Sequence, residues 1–262
     1  MTLPDARLEQ HALALDRALR DGAAIDQPVG TQQLTLAQAY QVQARLTALR
    51  CARGEAITGL KLAFTNRATM ARVGVHAPVS ACLCSGMQIP DGGHIALSGH
   101  LRLRAEPEVA FLLKSGLPAD GTPADARAAV AGVAAAIEIV DSRYRAFQFH
   151  LPDVVADSAS GCAYVLGPWQ RLDDALDLGD LPVTLSVDDQ VVASGSTAAI
   201  LDHPLQALAA AGALAAAHGQ PLGAGSVVLA GSATDPFVLA AGQRVQARIT
   251  GLGSVGFRVT AD

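Results

Sequence analysis

Three glutamates lie in segments whose other residues are suited to buried β-strands. Glu106 and Glu108 flank Pro107, and Glu138 lies in the apolar run Ala136–Val140. Side chains alternate faces along an extended strand, so Glu106 and Glu108 point the same way. A lone carboxylate in an apolar run carries a heavy desolvation penalty unless it is paired, protonated or bound to a metal. The pattern predicts a fold that brings the three carboxylates to one point, where they bind Mg²⁺ or Mn²⁺.

Spacing alone leaves other interpretations of these glutamates open. Glu106 and Glu108 also fit a solvated strand edge, because two arginines precede them closely. Glu138 also fits a buried salt bridge to an arginine such as Arg143.

The placement of lysine is informative, because arginine outnumbers it seventeen to two. Lys61 lies in Gly59–Phe64, where apolar neighbours on both sides predict a strand that enters the core. Partial burial would lower the pKa of Lys61 and make it usable as a general acid or base. The alternative is a lysine whose ammonium reaches the surface along its aliphatic stem.

Composition narrows the class of protein. The formal charge of -5, with no cluster of basic residues, argues against a nucleic acid partner. The N-terminal seven residues lack a secretory pattern, and no apolar run free of charges reaches membrane-spanning length, so we expect a cytoplasmic protein with no membrane partner. Four cysteines are too sparse for a disulfide scaffold. These features favour an enzyme of small metabolites.

A glycine-rich segment near residue 251 matches a dinucleotide-binding motif without the structural context that the motif needs. Gly251–Gly256 matches the dinucleotide fingerprint G-x-G-x-x-G, but only six residues follow it, so no helix can receive a pyrophosphate. The glycines more plausibly permit a tight bend between two strands.

The chain divides near residue 55. Apolar residues at helical spacing predict a helix that ends before Gly22 and a second from about Thr35 to Arg53. Short apolar strands punctuated by glycine and proline follow from Ile57. The Ala-rich residues 123–135 predict a helix, and another begins at Pro204. The prediction is an α+β fold with a helical N-terminal cap (1–55) and a strand-rich catalytic body (56–262).

Five segments, in order along the chain, resemble the family of 2-keto-4-pentenoate hydratases and 4-oxalocrotonate decarboxylases, within the fumarylacetoacetate hydrolase superfamily. They are Gly59–Thr65, Glu106–Phe111, Glu138–Tyr144, Asp153–Asp157 and Gly251–Val255. The resemblance implies a mixed β-roll of the fumarylacetoacetase C-terminal type, assembled into homo-oligomers. It also implies that Glu106, Glu108 and Glu138 hold a divalent metal.

The resemblance extends to residues of the active site. Lys61 matches the family's active-site lysine, and Asp157 and Ser160 lie in the segment that lines the substrate. We also expect Arg143 to contact the substrate. Two departures bear on the activity: Pro78–Ala81 lacks the acidic residue common in hydratases, whereas Ala230–Thr234 is more similar to hydratases than to decarboxylases.

The resemblance implies a metal-dependent lyase. We expect it to hydrate a 2-hydroxy-2,4-dienoate to a 4-hydroxy-2-oxo acid through an enolate whose charge the metal stabilises. The alternative is decarboxylation of a 2-oxo-3-enedioate of the 4-oxalocrotonate type. Further alternatives are an acylpyruvate C–C hydrolase and a non-catalytic metabolite-binding homologue, and the chain could also associate with a partner hydratase or decarboxylase.

Overall fold

Two helices fill the N-terminal segment before the first strand begins. The computed structural model describes residues 3–145, 148–220 and 222–262. Helix α1 ends at Gly22, whose φ of 61° is the left-handed conformation that glycine adopts most readily. Thr35 begins α2 with a capping box, in which its side chain accepts from the backbone N–H of Gln38. Both helices predicted from the sequence are therefore confirmed.

The helices and strands follow one another in mixed order. The helices are α1 Asp5–Asp21, α2 Leu36–Ala52, α3 Arg67–Val73, α4 Pro123–Ala128, α5 Leu151–Ala156 and α6 Pro204–His218. The strands are β1 Ile57–Ala63, β2 Val79–Cys84, β3 Gln88–Ile89, β4 His94–Ala96, β5 Arg104–Leu113, β6 Val130–Val140, β7 Gly161–Leu166, β8 Pro182–Val187, β9 Gln190–Ser196, β10 Val227–Ser232, β11 Phe237–Val238, β12 Arg244–Ile249 and β13 Gly253–Thr260. This mixture confirms the α+β expectation.

The strands form two sheets. The larger has the order β2-β1-β10-β5-β6-β7-β3, with β11 added to β5, and the smaller has the order β4-β13-β12-β8-β9. Their apolar faces share one core, which extends from Leu60 and Phe111 to Phe257. Strands β5 and β6 are paired on both edges within the larger sheet, and most of their side chains on both faces are buried. Any charged side chain on them is far from water unless a cavity reaches it.

The alanine-rich segment folds differently from the prediction. The helix over residues 123–135 is wrong beyond α4, because the chain enters β6 at Val130. Alanine favours a helix in isolation, but β6 pairs with β5 along its length, its residues 136–140 also pair with β7, and nearly all of the strand is buried. Tertiary pairing outweighs local propensity here, and it is this strand that carries Glu138.

The predicted helix at Pro204 is confirmed and belongs to the core. The segment Thr197–His218, with Asp202 as its charge, has the length and the mean hydropathy, 1.2, of a membrane-spanning helix. Half of it is buried within the protein, and α6 contacts α4, β1, β2 and β10. Such contacts are those of a core helix.

The N-terminal helices share a second hydrophobic cluster with the body. Leu8, Leu15 and Tyr40 from the two helices pack with Tyr144 and Val155. The cap is thereby joined to the segment that follows β6. A division into two domains at residue 55 stays a prediction.

Candidate metal centre and active-site cavity

The register of two neighbouring strands brings the three glutamates together. Glu106 on β5 lies directly opposite Glu138 on β6, and Glu108 shares the face of Glu106. One carboxylate oxygen from each of the three lies within 4.8 Å of the other two. Glu108 and Glu138 are fully buried, and Glu106 is partly exposed to a cavity. The structure therefore forms the predicted cluster.

A bulge in β10 supports Glu108. The pairing of β10 with β5 shifts between Leu229 and Ser232, next to Pro107, which has no N–H to pair. At the bulge, Gly231 has a φ of 105° and donates its N–H to Glu108 Oε2 at 2.7 Å. A Cβ on Gly231 would lie 2.0 Å from Thr65 Oγ1, so only glycine fits. An isolated glycine in a strand pattern was the sequence signal for this bulge.

Lys61 completes the cluster from β1. Its Nζ lies 2.9 Å from Glu138 Oε1 and donates to the carbonyl of Ala159 at 3.1 Å. The lysine is 2 % exposed, so the interpretation in which its ammonium reaches solvent is not what the structure shows. Glu138 pairs with Lys61 rather than with Arg143.

The expected lowering of the lysine pKa is wrong in direction. Burial does act to lower the pKa of Lys61, but Glu138, Glu106 and Glu108 act together to raise it, and the net shift is upward. Burial and Glu138 raise the pKa of Glu106 to about 7, against the opposing charge of Lys61. Burial likewise raises the pKa of Glu108 and of Glu138. The three glutamates together therefore carry more negative charge than Lys61 can neutralise.

The cluster fits a divalent cation. Three ionised carboxylates and one ammonium leave two negative charges, which a divalent cation would neutralise. Within the described ranges, Glu108 Oε1 and both carboxylate oxygens of Glu138 have no hydrogen-bond partner, since the approach of Lys61 is an ion pair without hydrogen-bond alignment. Buried anionic oxygens are costly unless paired or bound to metal. Carboxylate oxygen is the ligand that Mg²⁺ and Mn²⁺ prefer.

A turn with unusual backbone geometry holds the lysine. Ser158, Ala159 and Ser160 have φ values of 50°, 49° and 58°, the left-handed region that non-glycine residues enter at a cost of about 1 to 3 kcal/mol each. The Ala159 carbonyl faces Lys61 as a result. The small side chains gave no sequence signal for this turn, because glycine or asparagine is the usual residue at positive φ.

Arg143 and Asp157 pair with each other beside this turn. The Arg143 guanidinium donates to the Asp157 carboxylate, to the Asp157 carbonyl and to the carbonyls of Asp141 and Gly161. The pair is buried, and neither residue is among those that line the cavity. Ser160 does line it. The expectation of substrate contact thus has geometric support for Ser160, whereas Arg143 and Asp157 are placed to anchor the turn.

The cavity above the glutamates has a volume of about 770 Å³. Lys61 and Glu106 contribute to its base, and Phe64, Tyr144 and Phe149 contribute aromatic walls. Four arginines also line it: Arg72, Arg102 and Arg145 are exposed, and Arg104 is half-buried. Sequence analysis did not assign these arginines to a site, because Arg72, Arg102 with Arg104, and Arg145 come from three separate segments of the chain. The cavity therefore combines a carboxylate cluster at its base with four arginines and Asp235 among its lining residues.

Asp141 fixes the loop that carries one of these arginines. Its carboxylate accepts from the backbone N–H groups of Leu101, at 2.9 Å, and Arg102, at 2.7 Å, and lies 3.2 Å from His100 Nδ1. Burial opposes ionisation of Asp141, but these hydrogen bonds outweigh it and lower its pKa. The hydrogen bond that His100 makes to the Asp141 carboxylate, followed by the one it makes with Cys162, raises the pKa of His100 to about 10.

This pair predicts a loss of stability in alkaline solution. The pKa of His100 is raised above its ordinary value of 6.5, so the folded protein holds the proton more tightly than the unfolded chain. The stabilisation is complete below pH 6.5 and declines as the pH rises toward 10. Melting temperatures measured across that range should fall more steeply for the parent protein than for His100→Gln. Parallel curves would contradict the pairing.

Comparison with known proteins identifies the family. Residues 65–260 match the family described as fumarylacetoacetate (FAA) hydrolase C-terminal. The chain belongs to this family. The match confirms the resemblance noted in the sequence and, together with the curled sheet, the β-roll fold.

Relatives with two activities align over most of the chain. A 4-oxalocrotonate decarboxylase of Pseudomonas sp is 41% identical over 98% of this chain and 99% of its own. A 2-hydroxyhexa-2,4-dienoate hydratase of Comamonas testosteroni is 34% identical over 87% of this chain and 88% of its own. The solved structure of 4-oxalocrotonate decarboxylase from Pseudomonas putida G7, complexed with magnesium and adipate, superposes with a TM-score of 0.92, at 32% identity over 98% of this chain and 99% of that chain.

Proposed function

We propose that this chain is a divalent-metal-dependent lyase of 2-oxo acids, with decarboxylation of a 2-oxo-3-enedioate as its principal reaction. The observation that carries the proposal is one cavity with Glu106 and Lys61 at its base, beside the buried Glu108 and Glu138, and with arginines among its lining residues. Hydration of a 2-hydroxy-2,4-dienoate, which the sequence placed first, is the second candidate. Relatives of both kinds support the lyase class.

Glu106, Glu108 and Glu138 would hold the cation, which we take to be Mg²⁺ or Mn²⁺. Their orphaned buried oxygens and their two unbalanced negative charges support this assignment. When bound, such a cation supplies a Lewis acid that draws electron density from a 2-oxo acid. The 4-oxalocrotonate decarboxylase from Pseudomonas putida G7 has been solved in complex with magnesium and, in a second structure, with calcium.

The decarboxylation can be written with its atoms and electrons balanced. The bond between C5 and C6 breaks, C6 leaves as CO₂, and its electron pair moves through the C3=C4 double bond to the C2 oxygen. The product is a 2-hydroxypenta-2,4-dienoate once that oxygen takes a proton. The reaction therefore needs a positive group and a proton donor near C2.

Lys61 is the group of this chain that can meet both needs. Its ammonium lies at the base of the cavity, and the surrounding carboxylates keep it charged. It can stabilise negative charge on the C2 oxygen and deliver a proton to it. The Ala159 carbonyl and Glu138 restrict where this ammonium can point. Ser160, in the same turn, lines the cavity and would contact the substrate.

The arginines favour a substrate with two carboxylates. One end of such a molecule is required near the glutamates and Lys61, and the other can extend toward the positive charge of Arg72, Arg102 and Arg145. Arginine binds carboxylates well because its planar donors match their geometry. A five-carbon dienoate has only one carboxylate and would leave these arginines unused. This argument places the diacid reaction before hydration.

Hydration uses the same base of the cavity. After ketonisation of a 2-hydroxydienoate, the hydroxyl of a water molecule adds at C4 and the proton of that water adds at C3, which again requires charge stabilisation at the C2 oxygen. The cavity has room for a water molecule beside a small substrate. The intact set of Lys61 and three carboxylates speaks against a non-catalytic homologue, and no residue of the described chain stands out as the water-activating base of an acylpyruvate hydrolase.

Offering the two substrates separately tests the proposal. With Mg²⁺ or Mn²⁺ present, we expect 2-oxohex-3-enedioate to release CO₂, followed by ultraviolet absorbance and by mass. Consumption of 2-hydroxypenta-2,4-dienoate with a gain of one water would instead identify the hydratase. If neither substrate changes although the metal binds, the lyase proposal fails.

The cellular context stays a prediction. We expect a cytoplasmic homo-oligomer, and an association with a partner hydratase is possible because the diacid reaction produces a hydratase substrate. Light scattering of the purified chain measures the oligomeric state, and co-purification with such a hydratase tests the association.

A further inference from the structure

The N-terminal cap contributes to the cavity, although it lies outside the residues that define the family match. Ala24 lines the cavity directly. The backbone N–H of Ile25 donates to the Arg143 carbonyl at 2.9 Å, and Arg145 N–H donates to the Ile25 carbonyl at 2.7 Å. The cap thus pairs, like a short strand, with the segment that carries Tyr144 and Arg145 in the cavity wall.

A side-chain hydrogen bond connects the same two parts. His11 Nε2, on α1, lies 2.9 Å from the hydroxyl of Tyr144. Tyr144 lines the cavity, is 4 % exposed and packs in the cluster formed by the cap helices. Its ring therefore has one side in the core of the cap and one in the cavity. His11 itself does not line the cavity.

The ionisation of His11 bears on how this hydrogen bond forms. Burial lowers the pKa of His11, against the opposing charge of Asp153, so the imidazole is neutral near pH 7. A neutral imidazole nitrogen accepts hydrogen bonds well, and a phenol donates them well. In the tautomer with its proton on Nδ1, His11 accepts from the Tyr144 hydroxyl, and in either tautomer the hydrogen bond holds the phenol oxygen in one position.

We propose that His11 is a positioning residue of the active site, which holds Tyr144 in place as part of the wall against which the substrate binds. This inference rests on the lyase function proposed above. It assigns the cap a role in substrate binding, beyond covering the body. Packing against the ring would be the same for a phenylalanine, so the specific contribution of His11 acts through the hydroxyl.

A double-mutant cycle tests this assignment. The variants are His11→Leu, which cannot hydrogen-bond, His11→Gln, which can, Tyr144→Phe, and the pair His11→Leu with Tyr144→Phe. His76→Gln is the control, because His76 is exposed and lies outside the cavity lining. Three quantities are measured: kcat and KM for 2-oxohex-3-enedioate, Kd for 2-oxoadipate with Mg²⁺, and the melting temperature. 2-Oxoadipate lacks the C3=C4 bond and cannot lose CO₂ by the proposed route.

The expected result is a change in binding with little change in fold. Loss of one neutral hydrogen bond should raise KM and Kd roughly five- to ten-fold in His11→Leu and in Tyr144→Phe. The double variant should be no weaker than Tyr144→Phe, because residues that act through one interaction are not additive. His11→Gln and the control should resemble the parent protein.

Three results would overturn the inference. They are parent-like constants in His11→Leu, fold-changes that multiply in the double variant, and equal impairment of His11→Leu and His11→Gln with a lowered melting temperature. If the parent binds 2-oxoadipate but turns over neither substrate, the lyase proposal fails and the cycle in Kd still decides the role of His11. If the parent does not bind 2-oxoadipate, both proposals fail.

Discussion

Glu108→Gln is expected to abolish metal-dependent turnover while the protein stays folded. The carboxylate accepts from Gly231 N–H through Oε2 and leaves Oε1 without a partner in the described structure. A glutamine has nearly the same shape, and its amide oxygen can accept from the same N–H. The substitution therefore removes a charged ligand and preserves the contact with the β10 bulge.

Glu108→Gln should have opposite effects on the metal-free and the metal-bound site. Without metal, burial and the neighbouring carboxylates Glu138 and Glu106 raise the pKa of Glu108 well above its ordinary range, which shows that ionised Glu108 is unfavourable there. A neutral glutamine relieves this repulsion, so the metal-free variant should be as stable as the parent or more so. With metal, the lost ligand weakens binding, and turnover should fall roughly a thousand-fold, since metal polarisation supplies several kcal/mol.

Melting temperatures with EDTA and with Mg²⁺ check the predicted stability, and turnover measured on the same samples checks the predicted loss of activity. The parent should gain stability on adding Mg²⁺, because a ligand that binds only the folded state stabilises it. Glu108→Gln should gain little. Glu9→Gln, on the exposed face of α1, is the matched control and should behave as the parent. A variant that keeps full turnover in EDTA would refute the metal centre.

The carboxylate cluster could be predicted because its sequence signal is local and because an unpaired buried carboxylate carries a large desolvation penalty. Alternation in an extended segment places Glu106 and Glu108 on one face, and the apolar context of Glu138 makes a partner necessary. The strand pairing that sets Glu106 opposite Glu138 follows from contacts that no single segment encodes. Sequence therefore indicated which residues converge, and the sheet supplied how.

The direction of the lysine pKa and the roles of Arg143 and Asp157 could not be predicted for a related reason. The neighbours of Lys61 predicted its partial burial, but the net shift of its pKa depends on how many carboxylates surround it and at what distance. Arg143 and Asp157 are close in sequence to cavity residues, yet their side chains turn toward each other. Proximity along the chain does not determine which face of a loop meets the substrate.

The left-handed turn at Ser158–Ser160 shows the clearest limit. Its backbone conformation is stabilised by the surrounding structure, since the Arg143 guanidinium donates to the Asp157 carbonyl just before the turn and to Gly161 just after it. Positive φ at serine and alanine has no compositional signature. Such geometry can be recognised only in the folded molecule, and here it lies beside the reactive lysine.

Lys61→Met is expected to retain metal binding and lose turnover. Methionine keeps much of the aliphatic volume in the buried strand β1 but removes the ammonium that lies 2.9 Å from Glu138. The carboxylates remain, and with one positive charge fewer they should still attract a divalent cation. A proton donor at the reacting oxygen contributes about 10² to 10⁴ in rate, so turnover should fall by that order.

The variant should also depend on metal for its stability. In the parent, burial raises the pKa of Glu138 and of Glu106, and the positive charge of Lys61 acts against that rise. Without it, the metal-free cluster carries three carboxylates and no compensating charge, which should lower the melting temperature in EDTA. Addition of Mg²⁺ should restore more stability to Lys61→Met than to the parent protein.

Isothermal titration with Mg²⁺ and steady-state kinetics separate binding from turnover. The control is Lys114→Met, because Lys114 is the only other lysine in the chain and is exposed. If both variants turn over as the parent does, Lys61 has no part in the chemistry. If Lys61→Met loses metal binding together with turnover, the lysine supports the metal centre instead of the reacting oxygen, and the proton must come from another group in the cavity.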